Sequence, residues 1–172
     1  MLFRSRVMAY ESIVLSAVPP ASFADREGLK EVATLFNKAG ELCASAGMKF
    51  GYHNHDFDFM PVNGVMPFDY LIESTDPASV TFQLDLYWAT KAGVDAAAYP
   101  GRYPGRISSC HMKDMGFDGE IVDVGTGSID FATCTRAAWD HGARSFFVEH
   151  DNTQAPVRTA KNSFKHLVTM RF

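Results

Sequence analysis

Four side chains that bind divalent cations close four short apolar runs. His53 follows Met48-Lys49-Phe50-Gly51-Tyr52, Asp85 follows Val80-Thr81-Phe82-Gln83-Leu84, His111 follows Ile107-Ser108-Ser109-Cys110, and Glu149 follows Ser145-Phe146-Phe147-Val148. Strands of a parallel α/β fold are buried on both faces, and chemistry gathers at their C-terminal ends, where the loops to the next helices begin. Two carboxylates and two imidazoles with no thiolate make a mixed oxygen and nitrogen set suited to one divalent cation: Mn²⁺, Zn²⁺, Co²⁺, Fe²⁺ or Mg²⁺. An ion held there would grip two adjacent sugar oxygens and acidify the C–H beside a carbonyl. Glu149 is positioned to double as the base. His55 and Lys113, each two residues beyond a candidate ligand, and Trp88, just past Asp85, are the candidates for binding substrate hydroxyls or a phosphate.

Each residue alone has a plainer reading. A single strand-end histidine is more often structural than a ligand, and Asp85 is well placed to cap the following helix. Asp114 and Asp151 read as caps or loop residues. Gly125-Thr126-Gly127 looks like a phosphate cradle but has neither a third glycine nor a P-loop lysine, so it reads as a turn. Phe57, Phe59 and Trp88 read as packing before they read as sugar platforms. Recurrence of the same pattern at consecutive strand ends favours function for the ring as a whole.

The elements that must hold such a ring are legible as an alternation of short apolar strands and amphipathic helices. Strands are expected at Ser12–Ser16, Met48–His53, Val80–Asp85, Arg106–His111 and Ser145–Glu149. Leu29, Val32, Ala33, Phe36, Ala39, Cys43 and Ala46 recur at helical spacing, with Asp25 or Ser22 as cap and Gly47 as stop. Shorter helices are expected near Phe68–Ser74 and after Tyr87, a small ribbon before Gly127, a helix from Asp130 to Asp140, and a last helix over Val157–Thr169. The expectation is one α/β domain over residues 1–172, with five parallel strand-helix units.

Composition sets the outer limits. The net charge of -4 argues against nucleic acid or an anionic membrane as partner. No apolar run approaches the ~20 residues of a membrane span. Cys43, Cys110 and Cys134 form no CxxC pair and read as reduced core residues, as in the cytoplasm. Met1-Leu2-Phe3-Arg4-Ser5-Arg6 is basic but lacks the apolar region and cleavage site of a signal peptide.

Several runs resemble the sugar phosphate isomerase/epimerase family, the xylose isomerase-like TIM barrels. They are Gly51-Tyr52-His53-Asn54-His55-Asp56-Phe57-Asp58-Phe59, Phe82-Gln83-Leu84-Asp85-Leu86-Tyr87-Trp88, Ala92-Gly93-Val94-Asp95, His111-Met112-Lys113-Asp114, Val124-Gly125-Thr126-Gly127-Ser128-Ile129-Asp130 and Val148-Glu149-His150-Asp151. The resemblance implies metal-dependent isomerisation or epimerisation of a small sugar or sugar phosphate, with Asp85, His111 and Glu149 as metal ligands. His53 stands where the family often has a glutamate, so a symmetric two-glutamate epimerase mechanism gives ground to one with Glu149 as principal base and His53 in an altered role. A dehydratase or lyase on the same barrel is the first alternative; an AP-endonuclease-type barrel and a non-catalytic sugar-binding module are the others. The resemblance also places Ile13–Ser16 at the fourth of the eight strands of such a barrel. The expectation is therefore an incomplete barrel of about five units, whose open sheet a homo-oligomer would cover.

Overall fold

The computed structural model describes residues 11–171. The basic run Met1–Arg6 lies outside them. The described chain contains strands β1 (Ser12–Leu15), β2 (Lys49–His53), β3 (Val80–Asp85), β4 (Ile107–Met112), β5 (Asp114–Met115), β6 (Ile121–Val122) and β7 (Ser145–Val148). Its helices are α1 (Arg26–Ser45), α2 (Pro67–Ser74), α3 (Leu86–Lys91), α4 (Ala98–Arg102), α5 (Phe131–Asp140) and α6 (Pro156–Leu167). All five expected strands are present and parallel to their paired neighbours, with ends that differ from the expected ones by a residue or two. The chain divides into two compact units at Gln83 and Leu84.

In the first unit β1 pairs with β2 and β2 with β3, His53 standing opposite Gln83. Helix α1 begins where the Asp25 carboxylate accepts the Gly28 N–H at 2.9 Å and buries Leu29, Val32, Ala33, Phe36, Gly40 and Cys43. Its final turn ends at Gly47, whose φ of 73° is the left-handed stop expected there. Gly40 is a contact requirement, because a Cβ there would meet the Ser79 hydroxyl and Val80. Phe36 lies against Phe50 and Tyr52 at ring-centroid distances of 5.2 and 4.8 Å, and Phe68 against Phe59 and Phe82 at 5.1 and 5.5 Å. This aromatic core supports β2 from behind. β1 has one neighbour among the described strands, and Val14 and Leu15 on it are exposed.

β3 ends in the second unit, where β4 is its next neighbour in the sheet and β7 the one beyond. Every residue of β3 is buried, as expected for a strand covered on both faces. β4 and β7 are in register with His111 opposite Phe147 and Met112 opposite Val148. Beyond β4 the chain makes a two-stranded ribbon, β5 with β6, before Asp130 caps α5 through the Thr133 N–H at 3.1 Å. Cys43, Cys110 and Cys134 are buried and unbridged. Among the described residues no helix is long and apolar enough to cross a membrane.

A buried carboxyl holds the segment after β2. The Asp58 side chain accepts the Tyr52 hydroxyl and the His55 N–H, each at 2.7 Å, and is fully enclosed. Burial outweighs these bonds and pushes Asp58 from 3.8 up to about 7. A carboxyl that holds its proton more tightly when folded adds most to stability below its unfolded value and loses that contribution as pH rises to the folded one. Between about pH 4 and pH 7 the wild type should therefore lose more stability than Asp58→Asn, measured by urea denaturation. Parallel pH profiles for the two proteins would show that Asp58 does not titrate in this range.

Candidate metal centre

The second unit gathers five ionisable side chains at the ends of three strands. Asp85, the last residue of β3, uses its two oxygens separately. Oδ1 accepts the Trp88 N–H at 2.9 Å and caps α3, and Oδ2 lies 3.3 Å from Lys113 Nζ and 3.8 Å from His111 Nδ1. The cap reading and the site reading of Asp85 therefore both hold. Glu149 Oε2 lies 2.8 Å from His111 Nδ1 and 2.7 Å from Lys113 Nζ, and Asp151 Oδ2 lies 3.1 Å from the same ammonium.

Strand alternation produces this convergence. His111 and Lys113 are two residues apart and share a side of β4; Glu149 and Asp151 do the same past β7. Continued one residue past the Met112–Val148 pair, the β4–β7 register sets Lys113 level with Glu149, so the ammonium meets that carboxylate and Asp151 just beyond it. Lys113 is 2% exposed, and its aliphatic stem passes Trp88 with the ammonium 5.5 Å from the ring centroid. Lys91 approaches the same indole at 5.2 Å and donates to the Tyr87 hydroxyl at 2.9 Å.

The charges follow from this geometry. The hydrogen bond from His111, then those from Lys113, hold Glu149 down at about 2 against its partial burial. Burial pushes Asp85 up to about 6, against the pull of Lys113, the Trp88 N–H and His111. Burial alone would lower the Lys113 ammonium, yet Asp85, Glu149 and Asp151 together keep it above its ordinary value. Lys113 and Glu149 are thus a charged pair, and Asp85 bears the cost of desolvation.

The donor set suits a divalent cation. Ligands about 2.0–2.4 Å from one ion are separated by about 2.8–3.9 Å, and His111 Nδ1 lies 2.8 Å from Glu149 Oε2 and 3.8 Å from Asp85 Oδ2. Facing Glu149 alone, Nδ1 carries the proton; as a ligand it would present its lone pair.

The other expected site residues belong to the first unit. His53 ends β2, buried, opposite Gln83, and Asp85 lies two residues further along that same partner strand. His55 caps the short 3-10 turn Asp56–Phe59, stacks on Phe57 at 5.6 Å and meets His53 edge-on at 5.0 Å. Asp151, expected to be a cap or a loop residue, is in the structure a partner of Lys113. Its place two residues after Glu149 was the signal.

Residues 6–170 match the family model described as the xylose isomerase-like TIM barrel. The chain belongs to that family. It is 26% identical to a sugar phosphate isomerase/epimerase from Parabacteroides distasonis, with a TM-score of 0.86, over 96% of this chain and 60% of that one. An L-ribulose 3-epimerase, 16% identical with a TM-score of 0.70, shares the fold over 98% of this chain and 63% of that one. An inosose dehydratase from Geobacillus kaustophilus is 34% identical over 97 residues, which are 56% of this chain and 30% of the relative. The chain thus spans less than two thirds of the length of each of these proteins.

Removing the ammonium strands the buried Asp85 carboxylate, while Glu149 and Asp151, each more than a third exposed, keep contact with solvent. Breaking such a pair from one side costs about 3–5 kcal/mol. Lys113→Met should destabilise the metal-free protein by that order in urea denaturation, and a loss below about 1 kcal/mol would mean that solvent already screens the cluster.

Proposed function

We propose that this chain forms part of a divalent-cation-dependent enzyme that isomerises or epimerises a small sugar by removing a proton from the carbon beside its carbonyl. The observation that carries the reading is the placing of His111 Nδ1 between two carboxylates of one unit, 3.8 Å from Asp85 Oδ2 and 2.8 Å from Glu149 Oε2. His53 is proposed as the fourth ligand, because it closes β2 as Asp85 closes β3. When bound, the cation supplies a Lewis acid that polarises the carbonyl. Asp85 keeps one oxygen on the α3 cap and offers the other to the site, so the helix fixes the direction of its free lone pairs. Glu149 Oε2 is the proposed proton acceptor. His55 and Trp88 are proposed to contact substrate hydroxyls.

A dehydratase is the second reading. With His53 in place of a glutamate, a single carboxylate base remains, which suits loss of a proton and a hydroxide better than exchange between two faces. The 34% identity to an inosose dehydratase supports the same reading.

The test is solvent deuterium exchange into a panel of free ketoses, their epimers and cyclitol ketones, with Mn²⁺ bound and metal content assayed alongside. Glu149→Gln, measured fully metal-loaded, should lower exchange by about 10²–10⁴-fold. Exchange at the wild-type rate would remove Glu149 from the base role. Asp85→Asn should weaken Mn²⁺ binding in calorimetry, and unchanged affinity would remove Asp85 from the ligand set. Formation of an enone with loss of water would select the dehydratase.

A further inference from the structure

The two outermost strands of the described sheet, β1 in the first unit and β7 in the second, each have one neighbour among the described strands. A strand in that position presents a row of N–H and C=O groups that another chain can pair with, and proteins blunt such edges with lysine, proline or a bulge. Neither strand is blunted. β1 reads Ser12-Ile13-Val14-Leu15 and β7 reads Ser145-Phe146-Phe147-Val148, equal in length and without charge or proline. Their exposure is alike as well: Val14 and Leu15 are 37% and 38% exposed, Phe147 and Val148 50% and 43%. Successive residues of a strand point to opposite faces of the sheet, so each edge is apolar and open on both faces.

An occupant must therefore supply a strand with apolar side chains on both faces, which a flat protein surface or a lone helix does not do. The opposite edge of this same sheet does. The two edges also match in charge. Glu11 stands immediately before β1 and Arg144 immediately before β7, both exposed, so a parallel pairing with the strand starts level brings the carboxylate beside the guanidinium. The flanking elements follow the same sense. Helix α6, which follows β7, carries Arg158, Lys161 and Lys165 and no acidic residue, and leaves Val157 and Phe164 exposed. The described first unit carries ten Asp and Glu against four Lys and Arg. Like edges would bring two acidic first units together, or two second units whose last helices are both basic, and both arrangements are opposed by charge.

From the matched edges and their opposite charges we infer that β1 and β7 are the two halves of a head-to-tail interface, in which the β1 edge of a second copy pairs parallel with the β7 edge of the first. The contact is heterologous, because each copy uses a different surface. It gives β1 and β7 the second neighbour that β2, β3 and β4 already have.

The test is sedimentation velocity on the full chain over micromolar to submillimolar concentrations, for the wild type, Val14→Lys and Phe147→Lys. Wild type should associate as concentration rises. Each variant alone should remain monomeric, since one of its two edges is blunted. An equimolar mixture should regain association and stop at one copy of each, because the intact β7 of Val14→Lys meets the intact β1 of Phe147→Lys. A wild type that stays monomeric overturns the inference and leaves the edges to some other protein. Association that survives in either variant alone overturns it too, as does a mixture of two folded variants that stays monomeric. Hydrogen exchange on the wild type decides the matter where a variant fails to fold. Protection of the Ser12–Leu15 and Ser145–Val148 amides should rise together with concentration, and a rise in neither segment, or in one alone, overturns the inference.

Discussion

The ammonium of Lys113 is the group on which the second unit's strand ends depend. β3 ends in Asp85, β4 is followed at once by Lys113, and β7 is followed by Glu149 and Asp151. Without a cation among them, three carboxylates at such separations would repel one another at the low effective dielectric of a partly enclosed site. With it, each loop has a fixed anchor immediately past its strand. Asp85 illustrates the coupling: the same side chain starts α3 and faces the ions, so the direction of that helix and the charge of the site are set together.

The protein encloses carboxyl groups in three physically different ways. Asp85 is balanced by ions and one N–H, Asp114 is solvated by four backbone N–H groups, and Asp58 is bonded to a hydroxyl and an N–H yet still driven toward its protonated form. The ionic arrangement leaves a group that can exchange partners. The backbone arrangement is fixed wherever the loop is fixed. The arrangement around Asp58 is the least satisfied of the three, and it holds the segment that carries His55.

Much of the fold was readable because the local signals agreed with one another. The apolar positions of α1, Asp25 at its start and Gly47 at its end point to the same element, and all three are found in those roles. The parallel strands were readable because each ends in a polar residue after an apolar body. Candidate ligands could be chosen because Asp85, His111 and Glu149 each recur one strand-helix unit apart. The ion cluster was less legible: period-two alternation gives Lys113 its side of the strand but not the carboxylates it meets there. The glycine loop was read correctly as a turn, but what the turn encloses was hidden, since Asp114 contacts donors up to 15 residues later in the chain. Long-range pairing of this kind depends on register, which sequence spacing does not contain.

Trp88 gives the site an optical property. Its indole has two ammonium groups close to its ring, Lys91 at 5.2 Å and Lys113 at 5.5 Å, and its own backbone amide is bonded to the Asp85 carboxylate. The emission energy of an indole follows the field along its ring, because the excited state carries a larger dipole than the ground state. Any event that moves the Lys113 charge relative to the ring must therefore shift the colour of its fluorescence. The chain contains two tryptophans, and Trp139 stacks with Arg144 away from these strand ends, on α5. The wavelength of the Trp88 component is thus an intrinsic voltmeter for the carboxylate cluster, present without any label.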